Sequence, residues 1–253
     1  MKYTLPIGKT AVLCLMIATV QAQKLPNKQE VSLRAPADMK TDGKLTEWEG
    51  KLQAYNTATE IYYAISNDDE RLFLTIQCKY RDIVDKILRG GITLSINHII
   101  KKNDPEAVMV TYPVLRGADM SAVTNMFAKM NNEKSEAHDG PVPVGELNTL
   151  LQNKSKLINI KGIKPITDPA ISVYNEEGIK AVSLFDTGLT YTYELAIPLK
   201  YLNLPATPFS YHLKINAPDE TPLPPNGRFA PPVVITATAP TDFWGEYNLA
   251  KKQ

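Results

Sequence analysis

The residues of this chain that could do chemistry are three histidines, a pair of glutamates around a tryptophan, one acidic loop and one thiol. His98, His138 and His212 are scattered, with no His-x-x-x-His spacing that would bring two imidazoles to one metal on a helix. Glu47 and Glu49 flank Trp48, and a carboxylate pair is what glycoside hydrolysis needs. Separated by one residue beside an indole, they read instead as a solvated edge. Asn67-Asp68-Asp69-Glu70 offers oxygens that would suit Ca²⁺. No second acidic cluster completes six ligands, so a hairpin tip is the plainer reading. His138-Asp139-Gly140 reads as a turn in the most polar loop. There is no Gly-x-Ser-x-Gly elbow and no glycine-rich phosphate loop. No catalytic residue, metal ligand or organic cofactor is therefore assigned, and no reaction follows from these residues.

The N-terminus bears on compartment. Lys2 and Lys9 precede an apolar run from Ala11 to Val20 that ends in Val20-Gln21-Ala22, the pattern of a cleaved secretory signal at residues 1–22. The run is shorter than the ~20 apolar residues that span a bilayer, and no second run of that length follows. Cys14 lacks the small residues that a lipoprotein box places before its cysteine. The expectation is export to a periplasmic or extracellular location, with no membrane span. The full chain of 253 residues carries 28 basic and 27 acidic residues, and losing Lys2 and Lys9 leaves 26 against 27, a net charge of −1. Neither nucleic acid nor an anionic membrane is a natural partner for that balance. The mature chain keeps only Cys78, so it has no internal disulfide and depends on its core; it is expected to be a monomer.

The elements that must position any site follow from periodicity. Residues 23–37 are polar, with Pro26 and Pro36, and read as a tether passing into an edge segment. Asp42-Gly43 supplies a turn beside Leu45 and Trp48. Ile61 to Ser66 and Arg71 to Tyr80 alternate as a half-buried hairpin, with Cys78 in phase with Leu72, Leu74 and Ile76 and so inside. Asp82 to Leu88 has helical i,i+4 pairs stopped by Gly90-Gly91, and strands resume at Ile92–Ile96 and Ala107–Leu115. Met120, Val123, Phe127 and Met130 make a helical stripe between Gly117 and Asn131, read as core, followed by a polar loop to Pro143 and a short helix at Leu147–Leu151. Further strands are predicted at Ile158–Ile163, Ala170–Tyr174, Ile179–Phe185, Thr190–Ile197, Phe209–Ile215, Val233–Ala237 and Phe243–Leu249. The proline-rich stretch Pro218–Pro232 must cross the surface. Short strands with turn signals about every ten residues predict an all-β protein, a single β-sandwich over 38–253 with a helical insertion near 117–153.

The order of four segments carries a family resemblance: Asp42-Gly43-Lys44-Leu45-Thr46-Glu47-Trp48, Asp68-Asp69-Glu70-Arg71-Leu72-Phe73-Leu74, Thr190 to Leu199 with its Glu-Leu-Ala-Ile-Pro ending, and Phe243-Trp244-Gly245-Glu246-Tyr247-Asn248-Leu249. Together they cover the chain from about Asp38 to Leu249, the helical insertion excepted. The chain resembles carbohydrate-binding module family 9 and, more broadly, the sugar- or haem-binding DOMON sandwiches. The resemblance implies a non-catalytic glycan-binding protein in a glycan-handling system. Family 9 modules clamp a sugar between two tryptophans, and where those would fall this chain has Leu88-Arg89-Gly90-Gly91 and Thr238-Ala239-Pro240. Trp48 and Trp244 match the family's structural aromatics and are expected in the core. The candidate platform residues are then Phe229, Phe243 and Tyr62, with Arg228 as polar partner. Two alternatives stand beside this reading. One is a structural or partner-binding sandwich. The other is a DOMON-type haem protein using Met109 or Met120 with His212.

Overall fold

The computed structural model describes residues 24–48, 52–100, 104–136, 141–204, 208–218 and 239–252. The signal segment 1–22, Glu49, His138, Arg228, Phe229 and the strand expected at Val233–Ala237 lie outside them.

Strands β1 (Ala54–Asn56), β2 (Ile61–Asn67), β3 (Arg71–Cys78), β8 (Lys180–Phe185) and β9 (Tyr191–Pro198) form a five-stranded sheet, order β1-β2-β3-β9-β8. Strands β4 (Ile92–Asn97), β5 (Val108–Tyr112), β6 (Leu157–Lys161), β7 (Ala170–Ser172), β10 (Phe209–Ile215) and β11 (Thr241–Tyr247) form a six-stranded sheet, order β11-β10-β4-β5-β6-β7. The strand pairs are antiparallel throughout. The two sheets form a β-sandwich, and their alternating inner residues make one core. Ile61, Tyr63, Ile65, Leu72, Leu74, Ile76 and Cys78 on the first sheet meet Leu94, Ile96, Tyr211, Leu213 and Phe243 on the second. Each such side chain contributes about 1.5–3 kcal/mol on leaving water. Cys78 is fully buried, as its phase predicts, and burial pushes its thiol up to about 12.

The contact between the sheets fixes the register of the last strand. Tyr211 faces Gly245 across the ladder, and a Cβ on Gly245 would run into the tyrosine ring. The missing side chain lets Tyr211 lie flat and bond its hydroxyl to Tyr63 at 2.9 Å. Phe243, one step along the same face, packs 5.1 Å from the Tyr63 ring. Phe243 is only 6% exposed, which corrects its expected role as a surface platform. The same two-residue period turns Trp244 outward. Its expected core position is also corrected: the indole is half-buried on the outer face of the six-stranded sheet.

Helix α1 (Arg81–Gly90) joins β3 to β4, and helices α2 (Gly117–Glu136) and α3 (Gly145–Lys154) lie between β5 and β6. Their apolar residues, including Val84, Ile87, Val123, Phe127, Leu147 and Leu151, extend the core. α2 continues to Glu136, past the loop expected after Asn131: that stretch holds no helix breaker, and the i,i+4 pair Lys129–Glu133 supports it. On α3, the Asn148 amide donates to the Phe185 carbonyl and accepts its N–H, both at 2.8 Å. This protects the edge strand β8 from pairing with another chain.

Residues 26–48 cover the five-stranded sheet. The Gln29 amide bonds both backbone groups of Ile65 at 2.7 and 2.8 Å, and the N–H groups of Ala35 and Asn67 close a short ladder. The chain then crosses the sheet's outer face. Asp42 and Gly43 each donate a backbone N–H to Glu194 Oε2 at 2.8 Å, with Gly43 at φ +82° where a side chain would be strained and would meet Leu184. Trp48 lies beyond this turn, 7% exposed, over Leu52 and Ala64, and its indole N–H reaches Thr75 at 3.1 Å. That cover is why β9 is buried on both faces.

Candidate functional site

The outer face of the six-stranded sheet has no such cover among the described residues. Reading across the ladder, Trp244, His212, Ser95, Met109 and Lys161 are successive register partners on β11, β10, β4, β5 and β6. Four strand spacings separate the ends of that row, about 19 Å. A parallel row holds Asp242, Lys214, Thr93, Thr111 and Asn159. The central strand presents small side chains, and Ser95 and Asn97 are nearly closed off at 3% and 1% exposure. Longer side chains on either side rise above them, so the face is a trough. Cavities of about 390 Å³ (Ser95, Met109, His212, Trp244) and about 430 Å³ (Ser95, Thr111, His212, Lys214) share lining residues along it. The trough continues past Asn159 and Arg116 into one of about 700 Å³ beside Lys161.

At one end the indole of Trp244 stacks on the His212 imidazole, ring centres 4.3 Å apart and planes 6° from parallel. His212 is held from the other side by Asp242, Nε2 to Oδ2 at 2.6 Å. The indole is thereby fixed in orientation, a rigid aromatic wall that borders the trough and also a second cavity of about 460 Å³. Beside it Asp104 accepts the backbone N–H of His98 at 2.7 Å and its Nδ1 at 2.9 Å, and Oδ1 accepts from Glu106 N. Desolvation alone would raise this carboxyl, but these bonds outweigh it and hold its pKa below the usual carboxylate value. In mid-trough Thr93 and Thr111 hydroxyls lie 2.7 Å apart, and the Asn216 amide donates to Thr93 and to the Gly90 carbonyl. The far end is basic. Arg89 and Lys154 are paired with Asp85 and Asp119 at 2.7 Å each. There Arg116 and Lys161 have no ion-pair partner among the described residues, while Lys214 lies at the other end, opposite Asp242 in the ladder.

The residues expected to form a site are not brought together here. Phe243 is inside, and Phe229 and Arg228 are outside the described residues. Tyr62 is on the opposite sheet, half-buried, 4.7 Å from Tyr55 and beneath the Lys79 ammonium at 5.7 Å. The acidic loop spends its oxygens on groups of the protein itself. Asp68 Oδ1 accepts from Glu70 and Arg71, Asn67 Oδ1 from Tyr247 and Ala250, and Asp69 pairs with Arg34. No group of three or more metal-ligating side chains occurs among the described residues. Of the suggested haem pair, Met120 packs against the core on α2. Met109 shares the trough with His212, whose Nε2 is already bound to Asp242. Trp244, Ser95 and Lys161 were missed as site residues. The available signal was the alternation Phe243, Gly245, Tyr247, which puts Trp244 on the other face.

Fold and site together define a β-sandwich with an aromatic-to-basic trough across one sheet, uncovered among the described residues. Comparison with protein-family models, with curated proteins and with solved structures gives no match for this chain. No helix among the described residues is long and apolar enough to cross a membrane.

Proposed function

We propose that this is an exported, non-catalytic glycan-binding protein of the family 9 kind, and that the trough on the six-stranded sheet is its binding face. The observation that carries the reading is the register row from Trp244 to Lys161. A pyranose ring offers a C–H face that packs on an aromatic wall, and its hydroxyls must find partners as they leave water. Trp244 supplies the wall, while Thr93, Thr111 and Asn159 supply short polar groups along the line a linked sugar chain would follow, over a floor formed by the buried Ser95 and Asn97. The row is long enough for several rings, which suits an oligo- or polysaccharide better than a single sugar.

Affinity electrophoresis of the purified protein against a panel of soluble polysaccharides tests this. At least one should retard the parent, and Trp244→Ala should remove the retardation while the protein still unfolds cooperatively. An unretarded parent across the panel refutes the reading. Export is checked separately by mass spectrometry of the protein from culture fluid or periplasm, which should begin at Gln23; an intact Met1 on a membrane-bound form overturns it.

A further inference from the structure

We infer that the cavity of about 700 Å³ walled by the start of α2, the end of α3 and strands β6 and β7 is a second binding site, for a small carboxylate carried on an apolar body, such as a medium-chain fatty acid. It adjoins the trough at Asn159 and Lys161. The inference does not rest on the glycan reading, and either can fail without the other.

The two-residue period of β6 sends Ile158 and Ile160 into the core and leaves Leu157, Asn159 and Lys161 on the outer face. Leu157 is out of place there, a leucine 45% exposed in line with an amide and an ammonium. An exposed leucine by itself means nothing. This one shares its cavity with Val114, Pro169 and Ala170, so the floor is apolar, and the volume falls in the range of roughly 300–1,000 Å³ that holds small ligands. The rim is cationic. Arg116, Lys154, Lys156 and Lys161 line it against a single carboxylate, Asp119, which Lys154 holds at 2.7 Å. The Lys156 ammonium meets the Tyr174 hydroxyl at 2.8 Å and lies 4.9 Å over its ring, contacts that supply no counter-charge. Arg116 has no ion-pair partner among the described residues, and Asp168, exposed beside Pro169, makes no ion pair with Lys161. A bare inorganic anion would answer the rim and leave Leu157 and Val114 in water; a neutral hydrocarbon would do the reverse. A molecule with both parts answers both, its carboxylate taken by the planar fork of Arg116 and its body lying over Leu157.

The test separates charge from tail. Binding to the purified protein is measured by isothermal titration calorimetry with octanoate, with butyrate, which has the charge and little tail, and with 1-octanol, which has the tail and no charge. Octanoate should bind best. Butyrate should be at least about tenfold weaker for its missing methylenes, and 1-octanol about tenfold weaker for its missing charge-assisted bond. Arg116→Gln should lower octanoate to the level of 1-octanol and leave 1-octanol as in the parent. Leu157→Asp should abolish binding of octanoate. Both side chains are exposed, so an unchanged melting curve confirms that each variant is folded. Trp244→Ala, far along the row, should bind octanoate as the parent does. A parent that does not bind octanoate overturns the proposal. Equal affinity for octanoate and 1-octanol removes the carboxylate from it, and equal affinity for octanoate and butyrate removes the apolar floor; either result overturns it. Undiminished octanoate binding by Arg116→Gln or Leu157→Asp places the ligand elsewhere and overturns the site. The retardation by polysaccharide is read separately, and none of these results decides it.

Discussion

The protein has two tryptophans, each on the outer face of a sheet, and they have opposite surroundings. Trp48 lies over the five-stranded sheet, sealed by the segment it belongs to and bonded to Thr75. Trp244 stands on the six-stranded sheet, stacked on His212 and bordering two cavities. The sheets have the same alternating construction. What separates them is the N-terminal segment, which crosses one face and converts it into a second small core. The role of an aromatic residue on a sheet is therefore set by whether another part of the chain arrives to cover it.

The largest effect that would test this contrast is on stability. Trp48→Ala should cost about 3 to 5 kcal/mol, the usual range for deleting a buried indole, read from urea unfolding. A cost below about 1 kcal/mol, the range of surface changes, would mean that the covering segment contributes little.

Next comes the carboxylate that pins the same segment. Burial raises Glu194 from 4.5 to about 7 despite the two backbone N–H groups it accepts. Because the folded pKa is the higher one, the stabilisation is fully present below pH 4.5 and is lost as pH rises to about 7. Over that window the loss amounts to at most about 3 kcal/mol. Glu194→Gln keeps an acceptor for Asp42 and Gly43 and removes the titration, so its stability should stay flat where the parent's falls. Parallel pH profiles for the two proteins would contradict the burial of this carboxyl.

The smallest stability effect belongs to the open face. Trp244→Ala should cost only about 1 kcal/mol, the scale of a stacked aromatic pair, while abolishing the proposed glycan binding. A loss as large as that of Trp48 would erase the contrast and restore Trp244 to a structural role.

Much of the fold was legible in the sequence, because alternation and turn residues report directly on which face of a strand enters a core. The hairpin β2–β3, the inward phase of Cys78, the helix ending at Gly90-Gly91 and the strand Phe209–Ile215 all follow from local pattern. So does the importance of Asp42-Gly43 and of the Glu-Leu-Ala-Ile-Pro strand. That these two distant segments are joined, with Glu194 beneath the turn, depends on tertiary contact alone. The site was hidden for the same reason. Trp244, His212, Ser95, Met109 and Lys161 come from five strands scattered over the chain, and only the register of the sheet sets them in a row. Sequence fixes the period of each strand, but the order of strands, and which sheet face is left open, is decided when non-local surfaces compete for burial.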